Sequence, residues 1–161
     1  IASVPLAYYS VEEDNYIYKL AVLVRFIQQH ALLIKDKPEI VSANVLQHYN
    51  DNIQDIKDKT LYVLEEELSP EVNSTVRITK VYPYKFRIVT KEDITEAIKN
   101  RDENIVFLHK VGPEGTKLNA RCYKVIIGAA DAKFYYFEYH KISSRNPDGM
   151  LEKDFKKLAR N

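Results

Sequence analysis

The chain has little glycine, one cysteine and almost no net charge, and each shortage removes a class of function. Four glycines in 161 residues leave few backbone cradles for phosphate. The strand-to-helix turn after Val89 reads Thr-Lys-Glu-Asp. It has no glycine and places two acids where a phosphate would sit, against P-loop and Rossmann sites. Cys122 is the sole cysteine, so no intrachain disulfide forms, and the chain is long enough to fold without one. A net charge of +1 gives no electrostatic case for nucleic acid or an anionic membrane. No apolar run reaches the roughly 18 residues of a transmembrane helix. Residue 1 is Ile, not Met. A processed or truncated product is therefore expected, and the missing leader is no argument for the cytoplasm.

What is present is ordinary for a globular chain: 45% hydrophobic and 29% charged residues. The length fits one domain, or one domain with an appendage. The clearest stretch is Tyr84–Val111. Tyr84, Phe86 and Ile88 alternate with Lys85 and Arg87, the period of a strand with one apolar face. Thr90 and Asp93 make an acidic capping box. Ile94, Ala97 and Ile98 share a helix face, and that helix should stop near Asn100–Asp102. Ile105-Val106-Phe107-Leu108 is apolar on both sides, as a central strand is. Strand, helix and strand imply a βαβ unit with parallel strands and a right-handed crossover.

Upstream, residues 1–9 read as a tail or edge strand. Ser10 with Glu13 is a capping box opening a helix to about Ile34. Pro38 breaks it, and Ser42–Lys57 reads as a second helix, giving an αα-hairpin. Lys59–Glu66 is a strand. Ser69-Pro70 is an N-cap and N1 pair, so the spacing predicts a helix over 70–81, with a strand as the alternative because Val72, Val76, Ile78 and Val81 are β-branched. Residues 112–115 read as a turn, Ala120–Ile127 and Lys133–Lys141 as a hairpin, and Met150, Leu151, Phe155 and Leu158 as a C-terminal amphipathic helix. The predicted fold is α/β (α+β). A mixed sheet of about five strands carries a βαβ unit and a C-terminal hairpin (residues 59–161), and a helical pair (1–58) serves as cover or appendage.

The stretches FRIVTKEDITEAI (Phe86–Ile98) and NIVFLHKV, followed by a long hairpin, resemble the amino-terminal domain of the Tol system's periplasmic protein and related outer-membrane assembly lipoproteins. The likeness covers about residues 59–142. LSPEV (Leu68–Val72), YPYKF (Tyr82–Phe86) and FLHKVGPEG (Phe107–Gly115) resemble uncharacterised exported proteins of Bacteroidetes-type bacteria. The resemblance implies a periplasmic or secreted location and carries no activity. The N-terminal helical pair departs from the Tol pattern, so no partner identity transfers.

Candidate chemistry is sparse. His30, His48, His109 and His140 form no HExxH-type pair, so no metal is expected. His109 and His140 both read as strand-end residues that can approach each other, with Glu138 nearby, as an acid–base or metal cluster; two solvated histidines are the plainer alternative. Cys122 reads as a buried, inert thiol rather than a nucleophile. Glu65-Glu66-Glu67 reads as a solvated acidic face more readily than as a cation site. Along KFYYFEY, Tyr135, Phe137 and Tyr139 are placed on one face, packing under a helix or, if exposed, forming a binding surface. Phe134, Tyr136, Glu138 and His140 are placed on the other, with Glu138 and His140 facing water. The aromatic run lacks the glycines of RNA-binding sheets. These readings favour a non-catalytic binding or assembly module, with another protein as partner and no cofactor. A small enzyme centred on His109, Glu138 and His140 is the alternative.

Overall fold

Thr90 fixes the start of a helix by reciprocal hydrogen bonds. Its hydroxyl accepts from the Asp93 N–H at 3.3 Å, and the Asp93 carboxylate accepts from the Thr90 N–H at 2.9 Å. Two amides that the helix cannot pair internally are thereby satisfied. These bonds from Thr90 hold the Asp93 carboxyl below its usual range. The helix, Lys91–Lys99, buries Ile94, Ala97 and Ile98, the face that the spacing predicts.

The computed structural model describes residues 16–40, 55–72, 74–116 and 119–160. Its elements are α1 (Tyr16–Asp36), β1 (Thr60–Leu64), α2 (Thr75–Thr79), β2 (Phe86–Val89), α3 (Lys91–Lys99), β3 (Ile105–Glu114), β4 (Arg121–Gly128), β5 (Phe134–Lys141) and α4 (Glu152–Leu158). The strands form one mixed sheet in the order β2-β1-β3-β4-β5. β1 pairs in parallel with both β2 and β3, whereas β3, β4 and β5 are antiparallel neighbours. The α/β class, the parallel βαβ unit and the C-terminal hairpin are as the sequence predicts.

Both faces of the sheet are covered. On one, α1 and α3 bury Val22, Phe26, Ile94 and Ile98 against Phe107, Val125, Ile127 and Phe134. On the other, Ile78 of α2 and Phe155 and Leu158 of α4 bury against Leu61, Val63, Val106, Leu108, Ile126 and Tyr136. The β1-to-β2 crossover runs over the second face, and the β2-to-β3 crossover returns over the first. Opposite directions on opposite faces give one common hand, which a rule admitting a single hand requires. α1 acts as a cover: Phe26 packs against Phe134 with tilted rings, 4.6 Å between centroids, and Arg25 donates to the Ala129 and Ala130 carbonyls.

Several boundaries differ from the sequence reading. β1 stops at Leu64, and Glu65–Glu67 turns as a 3-10 segment. That turn brings the Glu67 carboxylate to the Lys110 N–H at 3.0 Å, where β3 has outrun β1. β2 is a four-residue edge strand, and Ile88 is partly exposed. Over 70–81 the helix is confined to Thr75–Thr79, with Ser74 rather than Ser69 before it. Ser69 is instead tied to the C-terminal strap, its N–H donating to the Met150 carbonyl. The segment read as a turn over 112–115 stays in β3 as far as Glu114, with a cis Gly112–Pro113 bond and a register shift. The Ser10/Glu13 cap, the 1–9 strand and the helix over 42–54 lie outside the described residues. Where the second helix is predicted to end, Ile56–Asp58 is a 3-10 turn with Ile56 in the core.

The strap around Gly149 tests this packing. Gly149 has φ +101°, and a Cβ there would lie 2.6 Å from both the Leu68 carbonyl carbon and the Ser69 nitrogen. Gly149→Ala should therefore cost about 3 kcal/mol through strain and overpacking. A loss below about 1 kcal/mol in denaturant melts would show that the strap is not seated on Leu68–Ser69.

Candidate functional site

Alternation along β4 places Cys122, Lys124 and Ile126 on the α4 side of the sheet. Lys124 sits mid-strand between Lys110 of β3 and Glu138 of β5 in cross-strand register. The three form a polar row, and each meets an opposite charge from the C-terminal segment. Lys110 pairs with Asp148 at 2.6 Å, Lys124 with Asp154 at 2.7 Å, and Glu138 with Lys157. The central pair is fully buried on both sides. Burial alone pushes the Asp148 and Glu138 carboxyls up. The hydrogen bonds and charges of Lys110 and Lys157 outweigh it and hold both below their usual range.

The centre of the row is closed. Lys124 Nζ donates to Asp154 Oδ2 and, at 2.8 Å, to His140 Nδ1. An ammonium only donates, so Nδ1 offers its lone pair and the ring proton sits on Nε2. Nε2–H in turn donates to the Pro147 carbonyl at 2.9 Å. Asp154 also accepts from the Tyr136 hydroxyl at 3.3 Å and the Leu151 N–H at 2.9 Å. The carboxylate thus caps α4 while neutralising Lys124. Tyr136 is pushed up in pKa by burial first and the Asp154 charge second.

His109 and His140 do not meet. His109 lies opposite Val125, which lies opposite Phe137, whereas His140 lies opposite Cys122. Paired residues share a face and neighbours alternate, so the histidines lie on opposite faces of the sheet. Both are buried: β3 continues past His109, and the 147–149 strap folds over His140. Of the proposed cluster, Glu138 and His140 share a face, but His140 does not face water. Lys124, Asp154 and Tyr136 are the members that the sequence reading missed. The signal was a lysine at an inward position, between Cys122 and Ile126, in a strand covered on both sides.

The aromatic strand is re-aimed by a bulge. The register slips between Ile126 and Ile127, so Ile126 pairs with Tyr136 and Ile127 with Phe134. Tyr135 is the extra residue, and it turns to the α4 side beside Tyr136. It is buried and donates to Asp55. Phe137 and Tyr139 remain on the α1 side, joined by Tyr123: its ring lies 6.4 Å from Phe137 and 5.6 Å from Tyr139. Arg121 stacks over Tyr139 at 5.6 Å, and Tyr139 is 49% exposed. The open aromatic surface is thus Tyr123, Phe137 and Tyr139, without Tyr135.

The remaining candidates are structural. Cys122 is buried, and desolvation pushes its thiol up to about 12, the direction opposite to nucleophile activation. Glu67 is buried against β3, and Glu66 pairs with Lys91 at 2.8 Å, so the acidic run is not a simple solvated face. Among the described residues no group of three His, Cys, Asp or Glu side chains is placed to hold a metal, and no helix is long and apolar enough to cross a membrane.

Together these features define a three-layer α/β domain whose buried polar chemistry is turned inward. Comparison with known proteins finds no matching family model, curated protein or solved structure.

The central pair makes two predictions. Lys124→Met should cost about 3–5 kcal/mol, because it strands the Asp154 carboxylate in the core. Asp154→Leu costs stability by itself, since it also orphans the Leu151 N–H and the Tyr136 hydroxyl, but the double variant should lose less than the sum, with a coupling above about 2 kcal/mol. Additive losses would show that the two groups do not interact.

The second concerns pH. Burial, followed by the Lys124 charge, lowers the His140 pKa from the ordinary imidazole value of 6.5. A depressed folded-state pKa stabilises the fold above the unfolded value, and that stability is lost as pH falls from about 6.5 through the folded value. Melting temperature should therefore drop between pH 7 and pH 5.5, and His140→Gln should flatten the slope. An unchanged slope in the variant would remove His140 as the cause.

Proposed function

We propose that the chain is a non-catalytic binding or assembly module of an exported bacterial protein. The observation that carries this reading is the outer side of α1. Val22 and Phe26 are buried on the sheet, yet Leu20, Val24, Ile27 and Leu32 are each about half exposed. Leu20, Val24 and Ile27 follow an i, i+4, i+7 line, the spacing with which a helix enters an apolar groove of another protein. Four large aliphatics on one exposed helix exceed the scattered apolar residues of an ordinary surface. The closed Lys124–Asp154–His140 cluster supports a structural rather than a chemical use of the interior. The exported location rests on the resemblance of LSPEV, YPYKF and FLHKVGPEG to exported bacterial proteins.

Val24→Glu combined with Ile27→Glu tests the stripe. If it serves a partner, stability should change by no more than about 0.5 kcal/mol, the range of ordinary surface substitutions. A photoreactive side chain at Leu20, in the protein expressed in its native cell, should then give one discrete heavier adduct that the double variant loses. Destabilisation by more than about 2 kcal/mol would mean that the stripe is covered by the chain itself. Either that result or the absence of an adduct overturns the reading.

A further inference from the structure

The sheet ends at β5, an eight-residue strand with a neighbour on one side only among the described residues. The direction of its backbone groups is fixed by one bond, from the Ile142 N–H to the Ala120 carbonyl at 2.8 Å. Hydrogen-bonded pairs alternate along an antiparallel ladder. With Ala120 and Ile142 such a pair, Cys122 with His140 and Lys124 with Glu138 are the next ones in register. The N–H and C=O groups of Phe137, Tyr139 and Lys141 therefore point away from β4. The Tyr139 N–H agrees: it is held by the neighbouring Glu138 carboxylate at 3.1 Å rather than by β4.

We propose that this edge pairs with β5 of a second copy of the chain, joining two sheets across a two-fold axis. This surface is separate from the α1 stripe, and the proposal does not rest on that reading. The strand is self-complementary in one register. Centred on Tyr139, the two edges place Tyr139 opposite Tyr139 of the second copy and Phe137 opposite its Lys141. All of these residues lie within the strand and below the bulge. Their outward N–H and C=O groups then exchange hydrogen bonds as in an ordinary antiparallel ladder. Sliding the centre to 138 sets two Glu138 carboxylates side by side, a like-charge pair that destabilises strands. Sliding it to 140 runs the pairing off the strand end.

A two-fold axis normal to the sheet keeps the same face upward on both copies. The Tyr123–Tyr139 stack of one copy then continues into the Tyr139–Tyr123 stack of the other. The exposed Tyr139 ring is covered, and a Lys141 ammonium is brought beside Phe137. Isolated edges of this length and aromatic content are usually blunted by charge, proline or covering elements. β5 has a bulge at Tyr135, but the bulge lies upstream of the paired stretch.

Sedimentation of the full chain from about 1 to about 100 µM should show passage from the 18.8 kDa monomer to the dimer. Tyr139→Pro breaks no hydrogen bond to β4, because the N–H it removes points outward, and it also takes away the ring at the proposed axis. It should weaken association at least about tenfold while the fold is kept, as far-ultraviolet circular dichroism reports. Should the proline variant fail to fold, Tyr139→Lys sets like charges at the two-fold axis and should weaken association likewise. A monomer throughout the range overturns the proposal. So does a dimer that both Tyr139 variants leave intact, or one that only Val24→Glu with Ile27→Glu disrupts.

Discussion

The buried Lys124–Asp154 pair is the constraint on which the α4 side of the molecule depends. Two full charges with no exposed surface are costly to desolvate, and they persist only where every remaining donor and acceptor is met. That condition reaches far along the chain. Asp154 must stand at the start of α4, Tyr136 must point inward past the bulge, and His140 must be held by the Pro147 carbonyl. The 147–150 strap must close against Glu67–Ser69, which it does by the Leu68–Met150 bridge. A slipped β4–β5 register or a rotated α4 would carry Lys124 away from Asp154 and leave two buried charges unpaired. The pair thus narrows the packing of this face to one arrangement, whatever its net contribution to stability.

The readable parts of the sequence were those where one local rule decides. The α3 cap needs only Thr90 and Asp93, and its buried face needs only the spacing of Ile94, Ala97 and Ile98. The unbroken run Ile105–Leu108 marks a strand covered on both sides, whatever covers it. The missed parts were set by partners distant in sequence. Lys124 lies 30 residues from Asp154. Without that partner, a lysine in RCYKVII reads as a residue aimed at water. The bulge at Tyr135 was equally hidden, since strict alternation over Lys133–Lys141 is the simplest reading. A one-residue slip exchanges faces. It sent Tyr135 to the α4 side, while Tyr123 joins the aromatic row through its pairing with Tyr139 on the unslipped part of the ladder. The histidines follow the same logic: both read as strand-end residues, and only cross-strand register tells which side of the sheet each occupies.

The two faces of the sheet are covered differently. The α4 side is sealed by side chains that answer one another, pair by pair, along the Lys110–Lys124–Glu138 row. The α1 side is mainly apolar, with His109 buried in it, and among the described residues its cover stops short of the β5 margin. α1 reaches the sheet through Val22, Phe26 and Arg25, and its cover ends where Phe137, Tyr123 and Tyr139 begin. The same helix turns aliphatic side chains outward. A long helix with apolar residues on both its inner and outer sides is not the amphipathic pattern of a surface cover. Among the described residues, its inner side meets the sheet and its outer aliphatics are exposed.

The electrostatics of the interior argue in the same direction. A general base needs a free lone pair near a reacting proton. The His140 Nδ1 lone pair is occupied by the Lys124 ammonium, and protonating that ring would set two cations 2.8 Å apart. A lysine nucleophile needs access and a neutral amine, whereas Lys124 is wholly enclosed and paired with a carboxylate. Cys122 has its thiol pushed up rather than down. Burial thus favours the neutral forms of Cys122 and His140, and Lys124 is enclosed on every side. Among the described residues, the exposed large apolar side chains include the outer line of α1 and Tyr139 at the margin of β5.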